Sequence, residues 1–195
     1  QLIIQINQHI VNITETKIVK SWFLLTDKPI IYLCNISESE LQKPTENNYY
    51  TAVKKHALSK NINYLKLCGS LEMEISKFTN TEDKNNFLEA YNLQQPGLFK
   101  LISLAYKQLG LITFFTAGEQ EIRAWSIPQG LYAPQAAGTI HSDFERGFIK
   151  AEIYNLRDLV ELKSENNLRE NGKIRQEGKE YKIQDGDIIF FKFNV

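Results

Sequence analysis

The sequence predicts two small domains, an α/β unit with a parallel sheet followed by an α+β unit with a mixed sheet. Three observations predict this division. In the first half, short apolar runs are separated by segments of helical periodicity, as in a strand-helix-strand unit. The second half opens with two apolar runs joined by a turn that contains glycine, which is typical of a β-hairpin. With 195 residues, of which 43% are hydrophobic, the chain is long enough to form two small cores.

The first predicted elements form a βαβ unit. Apolar residues at helical spacing predict one or two helices within residues 1–27, before Asp27-Lys28-Pro29 interrupts the pattern. The run IIYLC is β-branched and aromatic without polar alternation, which predicts a strand covered on both faces. A helix follows from Glu46 to Ser59, and a second strand from Ile62 to Leu67. Because a helical crossover joins parallel strands, this order predicts a parallel sheet.

Three further helices are predicted before the domain boundary. The first is LEMEISKF, and the second begins at Thr81 as N-cap and runs to about Tyr91. The third opens at Pro96, where proline suits the first helical turn, and ends at Gly110 as its C-cap. We therefore place the domain boundary near Gly110.

The second domain is predicted to span residues 111–195. It opens with the hairpin strands LITFFTA and EIRAWSI, followed by the strand FIKAEIY and a polar helix from about Asp158 to Asn171. A closing hairpin is predicted from EYKI and IIFFKFNV, joined by a turn at Asp185-Gly186-Asp187. These elements predict a small mixed sheet that grips a helix, which is an α+β arrangement.

The composition restricts the classes of partner. Lys+Arg and Asp+Glu both number 23, so the net charge is zero and no long-range field attracts DNA, RNA or an anionic membrane. No apolar run approaches the roughly 20 residues that span a bilayer, and the N-terminus lacks the features of a signal peptide. Cys34 and Cys68 are too few for a disulfide framework. We expect a soluble cytoplasmic protein with no DNA or membrane partner and, because the first residue is not methionine, a fragment or processed product.

Polar residues follow both predicted strands of the first domain. Ligands of an open parallel sheet bind beyond the carboxyl ends of the strands, where Asn35 and the turn Cys68-Gly69-Ser70 are expected. The asparagine amide offers the acceptor and donor that meet N6 and N7 of adenine, and Gly69 allows close approach of backbone N–H groups. An asparagine after a strand is equally typical of a turn or a helix cap, so the residues alone leave both interpretations open.

Two other patterns also have two interpretations. His141, with Asp143 and Glu145 nearby, is typical of a catalytic or metal site, but no third ligand lies at zinc spacing, and a role in fixing the loop is favoured. The aromatic residues are more typical of a core than of the alternative, a base-stacking platform. They are Trp22, Trp125, Phe114, Phe115, Phe190, Phe191 and Phe193.

Four segments resemble the C-terminal half of Obg-like ATPases, the YchF subfamily of the Obg-type P-loop proteins. They are TDKPIIYLCNISESEL, LCGSLEMEI, LITFFTAGEQEIRAWSIPQGLYAPQAAGTIHSDFERGFIKAEI and GKIRQEGKEYKIQDGDIIFFKFNV, and they cover nearly the whole chain from about Glu15. The resemblance implies that residues 1–27 end a helical insertion and return to the nucleotide domain. It further implies that residues 28–110 are the C-terminal part of an α/β P-loop nucleotide-binding domain. Residues 111–195 would then form an α+β, ubiquitin-like β-grasp domain of the TGS type.

The resemblance also implies a preference for ATP. Ordinary GTPases carry N-K-x-D where this chain has Asn35-Ile36-Ser37-Glu38, so the aspartate that reads guanine is absent. Hydrogen bonds to a charged group contribute roughly 1.5–3 kcal/mol each, so the loss of two removes most of the guanine preference. The adenine contacts are assigned to Asn35, Ile36, Ser37 and Glu38, with Cys68, Gly69 and Ser70 completing the pocket. Ordinary GTPases have Ser-Ala where this chain has Cys68-Gly69.

The motifs that hold phosphates and magnesium are absent from the sequence. It contains no G-x-x-x-x-G-K-[ST] and no D-x-x-G after a strand. We therefore expect no catalytic residue, no metal ligand and no bound cofactor in this chain, which should not hydrolyse ATP alone. The resemblance implies ATP and Mg²⁺ as ligands of the full-length protein.

TGS modules usually contact RNA or the ribosome, so the resemblance implies a ribosome or ribosomal RNA partner. Basic and acidic residues nearly balance from 140 to 195, which leaves only a small basic cluster that glutamates interrupt. A solvated helix face explains this cluster as well as an RNA contact does. Its members are Arg169, Lys173, Arg175, Lys179 and Lys182. The alternative function is a non-catalytic β-grasp module that binds RNA, the ribosome or a protein.

Overall fold

The computed structural model describes residues 18, 20–43, 45–118 and 121–194. The chain divides into two compact units, residues 1–105 and 106–195. Most of the helical segment predicted within residues 1–27 lies outside the described residues. A short 3-10 helix, Leu25–Asp27, stands where the sequence predicts a break in helical periodicity.

The first unit contains the predicted βαβ arrangement. Its elements up to the second strand are β1 (Ile31–Asn35), α1 (Glu38–Leu41), α2 (Asn48–Ser59) and β2 (Asn63–Leu67). β1 and β2 pair in parallel, so the prediction of parallel strands with a helical crossover is confirmed. α2 begins where Asn47 accepts a hydrogen bond from the backbone N–H of Tyr50 at 2.6 Å, which is a typical N-cap.

The prediction that β1 is covered on both faces is wrong for the described structure. β1 and β2 form a sheet of two strands, and the side chain of Leu33 in the middle of β1 is 45% exposed. The opposite face is covered by α2, because the ring of Tyr32 lies 6.1 Å from that of His56. The sequence of β1 is therefore that of a buried strand, but the described residues cover only one of its faces.

Three helices follow β2, as predicted. They are α3 (Gly69–Ile75), α4 (Thr81–Ala90) and α5 (Gly97–Leu109). The N-cap of α4 is Asn80, one residue before the predicted Thr81, because the Asn80 side chain accepts the Glu82 N–H at 3.0 Å. Gly110, the predicted cap of α5, has a φ of +64°, the left-handed conformation in which glycine ends helices. No helix in the described part of the chain has the length and apolarity to cross a membrane.

The first unit has a small core between α3 and α4. Cys68, Leu71, Ile75 and Leu88 are buried together there. α5 contributes no buried residue, although its apolar residues recur at helical spacing. An amphipathic helix normally buries its apolar face, so the described residues of this unit leave α5 without full cover.

The second unit is built on a sheet of five strands. The strands are β3 (Leu111–Ala117), β4 (Ile122–Pro128), β5 (Phe148–Asn155), β6 (Arg175–Glu177) and β7 (Asp187–Phe193), and the helices are α6 (Ala133–Ile140), α7 (Ser142–Arg146), α8 (Leu156–Leu162) and α9 (Glu165–Glu170). The strand order is β4-β3-β7-β5-β6. β3 and β7 are parallel, whereas the other neighbours are antiparallel. The predicted opening hairpin, β3-β4, and the predicted mixed sheet are thus confirmed.

The prediction of a closing hairpin is wrong. EYKI forms no strand with β7, which instead lies between β3 and β5 at the centre of the sheet. Lys182 forms only an isolated bridge to Tyr132, while Ile183 is buried in the core. Asp185 accepts a hydrogen bond from the N–H of Thr113 at 2.8 Å, so the DGD turn is fixed to β3 rather than to a hairpin partner.

The predicted helix from Asp158 to Asn171 is two helices. α8 ends at Lys163, whose φ of +63° is left-handed, and α9 begins after Ser164. Lysine carries no sequence signal for this conformation, which glycine and asparagine adopt more readily. The break was therefore not predicted from composition.

The sheet of the second unit separates two clusters of buried side chains. On one face, α6 covers a large core that includes Phe114, Ile153 and Ile189. On the other face, a smaller cluster forms where α8 and α9 cover Tyr154 and Ile188. Alternate residues of each strand point to opposite faces, which explains why adjacent residues such as Ile188 and Ile189 belong to different clusters.

Candidate functional site

The predicted adenine site lies at the carboxyl ends of β1 and β2. The side-chain oxygen Oδ1 of Asn35 accepts a hydrogen bond from the backbone N–H of Gly69 at 3.0 Å. The N–H of Ile36 donates to the carbonyl oxygen of Leu67 at 2.9 Å. Two loops that are distant in sequence are therefore joined at the position where open parallel sheets bind ligands.

The amide of Asn35 is exposed and only partly engaged. Its Oδ1 atom has a second lone pair, and its Nδ2 atom has no hydrogen-bond partner among the described residues. The bond from Gly69 fixes which atom of the amide faces α3, so the donor Nδ2 is left for an acceptor. The arrangement is chemically suited to a ligand edge with one acceptor and one donor.

Gly69 is not required by packing within the protein. A Cβ atom built at this position would lie 3.4 Å from Oδ1 of Asn35, which is an ordinary contact distance. Its neighbour Cys68 is 2% exposed and belongs to the core, while its Sγ atom lies 3.1 Å from Oγ of Ser70. Of the predicted turn residues, Gly69 and Ser70 are thus exposed and Cys68 is not.

Ser37 and Glu38 begin α1, and each has a local partner. Oε1 of Glu38 accepts a hydrogen bond from the Tyr91 hydroxyl at 2.6 Å, which raises the pKa of Tyr91. The N–H of Ser37 donates to Oε2 of Glu40 at 3.2 Å. The carboxylate of Glu38 is consequently held toward the end of α4.

Glu40 was missed by sequence reasoning. Its carboxylate accepts hydrogen bonds from the N–H and hydroxyl of Ser37 and, at 2.7 Å, from the side-chain amide of Asn47. Together they hold the pKa of Glu40 below its usual range, with the Ser37 N–H the largest cause and the Asn47 amide the next. The signal was present, because Ser37-x-x-Glu40 has the spacing of a capping box. Its effect is to stiffen the loop that follows Asn35.

Ile36 and Cys34 lie on the face of β1 that α2 covers. Ile36 is half-buried and lines a cavity of about 220 Å³ with Asn47, Tyr50 and Lys66 among its other residues. Burial raises the pKa of the Cys34 thiol, which disfavours the reactive thiolate at neutral pH.

The predicted basic cluster of the second unit is a set of separate local contacts. Arg169 lies 3.8 Å from Glu152, and Lys173 lies 3.1 Å from Asp158. Among the others, Arg175 contacts Glu177 and Asp187, and Lys182 lies over the ring of Tyr132, whereas Lys179 is exposed. Most of these charges thus have partners within the protein.

His141 caps a helix. Its Nδ1 atom accepts the N–H of Asp143 at 3.2 Å at the start of α7, which agrees with the predicted role in fixing the loop. The described residues contain no group of three His, Cys, Asp or Glu side chains that could hold a metal ion.

Comparison with known proteins identifies relatives of both units. Residues 111–194 match the family YchF-GTPase_C, described as a protein of unknown function (DUF933). The chain is 46% identical over 181 residues to the ribosome-binding ATPase YchF of Bacillus subtilis. The aligned region is 93% of this chain and 49% of that protein. The chain is 41% identical over 171 residues to the protein of the same name from Escherichia coli O157:H7, covering 88% of this chain and 46% of that protein. The chain thus spans about half the length of the curated relatives it matches.

Solved structures agree with the sequence matches. The YchF GTPase of Schizosaccharomyces pombe superimposes on this chain with a TM-score of 0.79 at 37% sequence identity. The superposition covers 94% of this chain and 48% of the Schizosaccharomyces pombe chain. A GTP-binding protein from Pyrococcus horikoshii superimposes with a TM-score of 0.58 at 15% identity, over 86% of this chain and 46% of that chain, which shows a shared fold. Residues 111–194 therefore belong to the YchF-GTPase_C family, and the chain as a whole corresponds in sequence and fold to the C-terminal half of YchF proteins.

Proposed function

We propose that this chain supplies the adenine-binding side of an ATP site and a ribosome-contacting domain in a longer cytoplasmic ATPase. The names of its relatives, ribosome-binding ATPases, suggest the activity and the partner. Residues Asn35, Ile36, Ser37 and Glu38 form one wall of the proposed base pocket, and Cys68, Gly69 and Ser70 form the other.

The hydrogen bond from Gly69 to Asn35 carries this proposal. It joins the ends of two parallel strands and leaves Nδ2 of Asn35 to donate to N7 of adenine, while Oδ1 accepts from the N6 amino group. Guanine presents an acceptor, O6, in place of the N6 donor, so it does not match the amide as well. The adenine edge is thus the better complement of this site.

The position of Glu38 supports the same preference. A GTPase holds a carboxylate free to accept from guanine, whereas the Glu38 carboxylate accepts from Tyr91 at 2.6 Å. This bond and the capping of α1 by Glu40 keep the loop in one conformation. To accept from guanine with both carboxylate oxygens, Glu38 would have to turn away from Tyr91 or share Oε1 with it.

Exposed apolar surface in the first unit supports its assignment to a larger P-loop domain. Leu33 in β1, and Leu98 and Ile102 in α5, are exposed although their sequence pattern is that of buried residues. We propose that residues 28–110 complete a sheet and helix layer contributed by another part of the longer protein, and that residues 1–27 end a helical insertion. ATP phosphates and Mg²⁺ would be held by that other part.

The strand order supports a β-grasp assignment for residues 111–195. An N-terminal hairpin, β3-β4, places β3 parallel to the final strand β7, and α6 packs across the sheet. We propose that this is a TGS-type domain that contacts ribosomal RNA. Arg169, Lys173, Arg175, Lys179 and Lys182 remain its proposed phosphate contacts, although internal pairing leaves few of them free.

Nucleotide titration of the full-length protein tests the base pocket. Asn35→Ala should weaken the binding of an ATP analogue by roughly two- to tenfold, the value of a lost neutral hydrogen bond. Asn48→Ala, an exposed asparagine at the start of α2, is the matched control and should bind as the wild type does. Unchanged affinity in Asn35→Ala would refute the assignment.

The alternative is a binding module without catalysis. The absence of a phosphate-binding motif from the sequence favours it as a description of this chain alone. Under this alternative, the full-length protein would bind ribosomes equally well with and without ATP and would not hydrolyse it. Co-sedimentation with ribosomes in the presence and absence of nucleotide, together with phosphate release, distinguishes the two.

A further inference from the structure

The two faces of the five-stranded sheet differ in their cover. α6 buries one face, whereas α8 and α9 cover the other only around Tyr154 and Ile188. We define the open sheet face as Lys150 and Glu152 of β5 together with Phe190 and Lys192 of β7. In the register of these strands, Glu152 lies opposite Phe190 and Lys150 lies opposite Lys192. All four side chains therefore project from the same face.

Phe190 is an exposed aromatic ring on the central strand of a sheet. Its side chain is 47% exposed, whereas its neighbours on the other face, Ile189 and Phe191, are buried. The ammonium of Lys192 lies 4.1 Å from the centroid of the Phe190 ring. A large apolar side chain at this position normally packs in a core, so an exposed one is available for stacking by a partner.

Two lysines face each other beside this ring. Lys150 and Lys192 are directly opposite on neighbouring antiparallel strands, an arrangement that destabilises a sheet when nothing neutralises it. The Lys150 ammonium lies 4.0 Å from Glu152 and donates to Gln176 at 3.0 Å, and Arg169 also approaches Glu152, at 3.8 Å. Two cations thus contact one carboxylate, and Lys192 adds a third positive charge to the same face, in a chain whose net charge is zero.

The combination of an exposed ring and neighbouring positive charge fits an unstacked nucleotide. Sequence-tolerant RNA binding uses aromatic rings as stacking platforms and lysines or arginines as phosphate contacts. A protein partner fits less well, because lysine is depleted from the centres of protein interfaces and Phe190 is a single ring rather than an apolar patch. A cavity of about 150 Å³ opens beside the ring, with Glu152, Arg169 and Lys192 among its lining residues.

We propose that the open sheet face binds single-stranded RNA, with one base stacked on Phe190 and the adjacent phosphates at Lys150, Lys192 and Arg169. This inference rests on the proposed contact of the second unit with RNA and assigns that contact to a surface. It places the main contact on the sheet rather than on the basic cluster of the sequence, with which it shares only Arg169.

Anisotropy of a short fluorescein-labelled oligouridine, titrated with the 195-residue chain, tests the proposal. Phe190→Ala should weaken binding by about tenfold, within the range measured for loss of one base-aromatic stack, and Phe190→Tyr should restore it. Lys192→Gln should lower the dependence of log K on log salt by about 0.7, the value for one phosphate contact to a single strand. Lys107→Gln, which removes an exposed lysine near the end of α5 and outside this face, is the matched control and should change neither.

Thermal unfolding separates binding from folding defects. Lys192→Gln should unfold at the wild-type temperature or above it, because it removes the repulsion from Lys150. A variant that binds RNA weakly but is as stable as the wild type supports a direct contact. Equal RNA affinity in the wild type, Phe190→Ala and Lys192→Gln would overturn the proposal.

Two further results distinguish this inference from the proposed function. If the chain co-sediments with ribosomes but does not bind oligouridine, or if polyglutamate competes as well as RNA, the partner of this face is a protein and the inference is overturned. If the chain fails to bind ribosomes at all while oligouridine binding still depends on Phe190, the ribosomal function is wrong and the RNA surface stands.

Discussion

The first unit exposes apolar residues that its sequence pattern suits to burial, whereas the second unit buries one face of its sheet and part of the other. Leu33 and Ile102 of the first unit are exposed, and its core around Leu71 is small. The second unit has a large core under α6 and a second cluster under α8 and α9. The difference teaches that a periodic apolar pattern indicates burial in the complete domain. A part of that domain can leave the same residues exposed.

The largest expected effect tests whether the two units are stable independently. Phe114→Ala removes a fully buried ring from the core of the second unit and should cost about 3–5 kcal/mol. Because the units have separate cores, denaturant unfolding of the chain should show two transitions, of which only that of the second unit shifts.

The control for Phe114→Ala is Leu98→Ala on the exposed side of α5. It should change the free energy of unfolding by less than about 0.5 kcal/mol, as is usual for exposed positions. A single cooperative transition, shifted by Phe114→Ala as a whole, would show that the two units unfold together and would break the comparison.

An effect of intermediate size is expected when alkaline pH lowers the stability of the second unit. Burial, with the hydrogen bond to Glu165 at 2.6 Å, raises the pKa of Tyr154 well above its ordinary value near 10. The unfolded chain therefore releases this proton first, so stability from Tyr154 is complete below about pH 10 and is lost as pH rises further.

Tyr154→Phe is the variant that isolates this group. It should lower stability at neutral pH by about 1.5–3 kcal/mol, the value of a hydrogen bond to a charged group, and should flatten the loss above pH 10. Chemical denaturation at neutral and alkaline pH measures both. An equally steep alkaline loss in Tyr154→Phe would assign it to other groups.

A smaller effect is expected when Glu38 is released in the first unit. Tyr91→Phe removes the hydroxyl that donates to Glu38, so the carboxylate becomes free to accept from guanine. In the full-length protein, the ratio of ATP to GTP affinity should fall by less than about tenfold, because the pair is exposed to solvent. Competition between the two nucleotides for a fluorescent analogue measures this ratio, and an unchanged ratio would show that Glu38 takes no part in base selection.

The smallest effect on folding is expected at Gly69. Gly69→Ala places a methyl group in ordinary contact with Asn35, so the unfolding temperature should hardly change. ATP affinity of the full-length protein should nevertheless fall, because the methyl group lies against the amide proposed to hold the base. Gly178→Ala, an exposed glycine of the second unit where an added Cβ atom meets no atom within 4 Å, is the control. A large loss of stability in Gly69→Ala would instead assign this glycine to folding.

Local sequence patterns predicted most of the helices and strands. Strand pairings between residues distant in sequence were not predictable from such patterns. The βαβ unit and the β3-β4 hairpin were predictable because their residues are close in sequence. The closing hairpin was wrong because β7 pairs with β5 and β3, partners that a short window does not include. Likewise, no sequence signal predicts that Lys163 adopts a left-handed conformation and divides α8 from α9.

The candidate sites show the same limit. The rule that ligands bind at the carboxyl ends of parallel strands brought Asn35 and Gly69 together correctly in space. Glu40 was missed although its capping-box spacing is visible in the sequence, because the comparison with N-K-x-D singles out Glu38. Phe190 was interpreted as a core residue, since an apolar residue in a strand does not reveal which face of the sheet is covered.

The hydrogen bond between Gly69 and Asn35 makes the exchange rate of the Gly69 amide proton a measure of ligand binding in the first unit. An exposed amide proton that is already donated exchanges with solvent only when its acceptor moves away. A nucleotide that seats against Asn35 would hold that acceptor in place and slow the exchange. The amide resonance of Gly69 would thus register occupancy of the pocket directly, without a label and without any turnover of nucleotide.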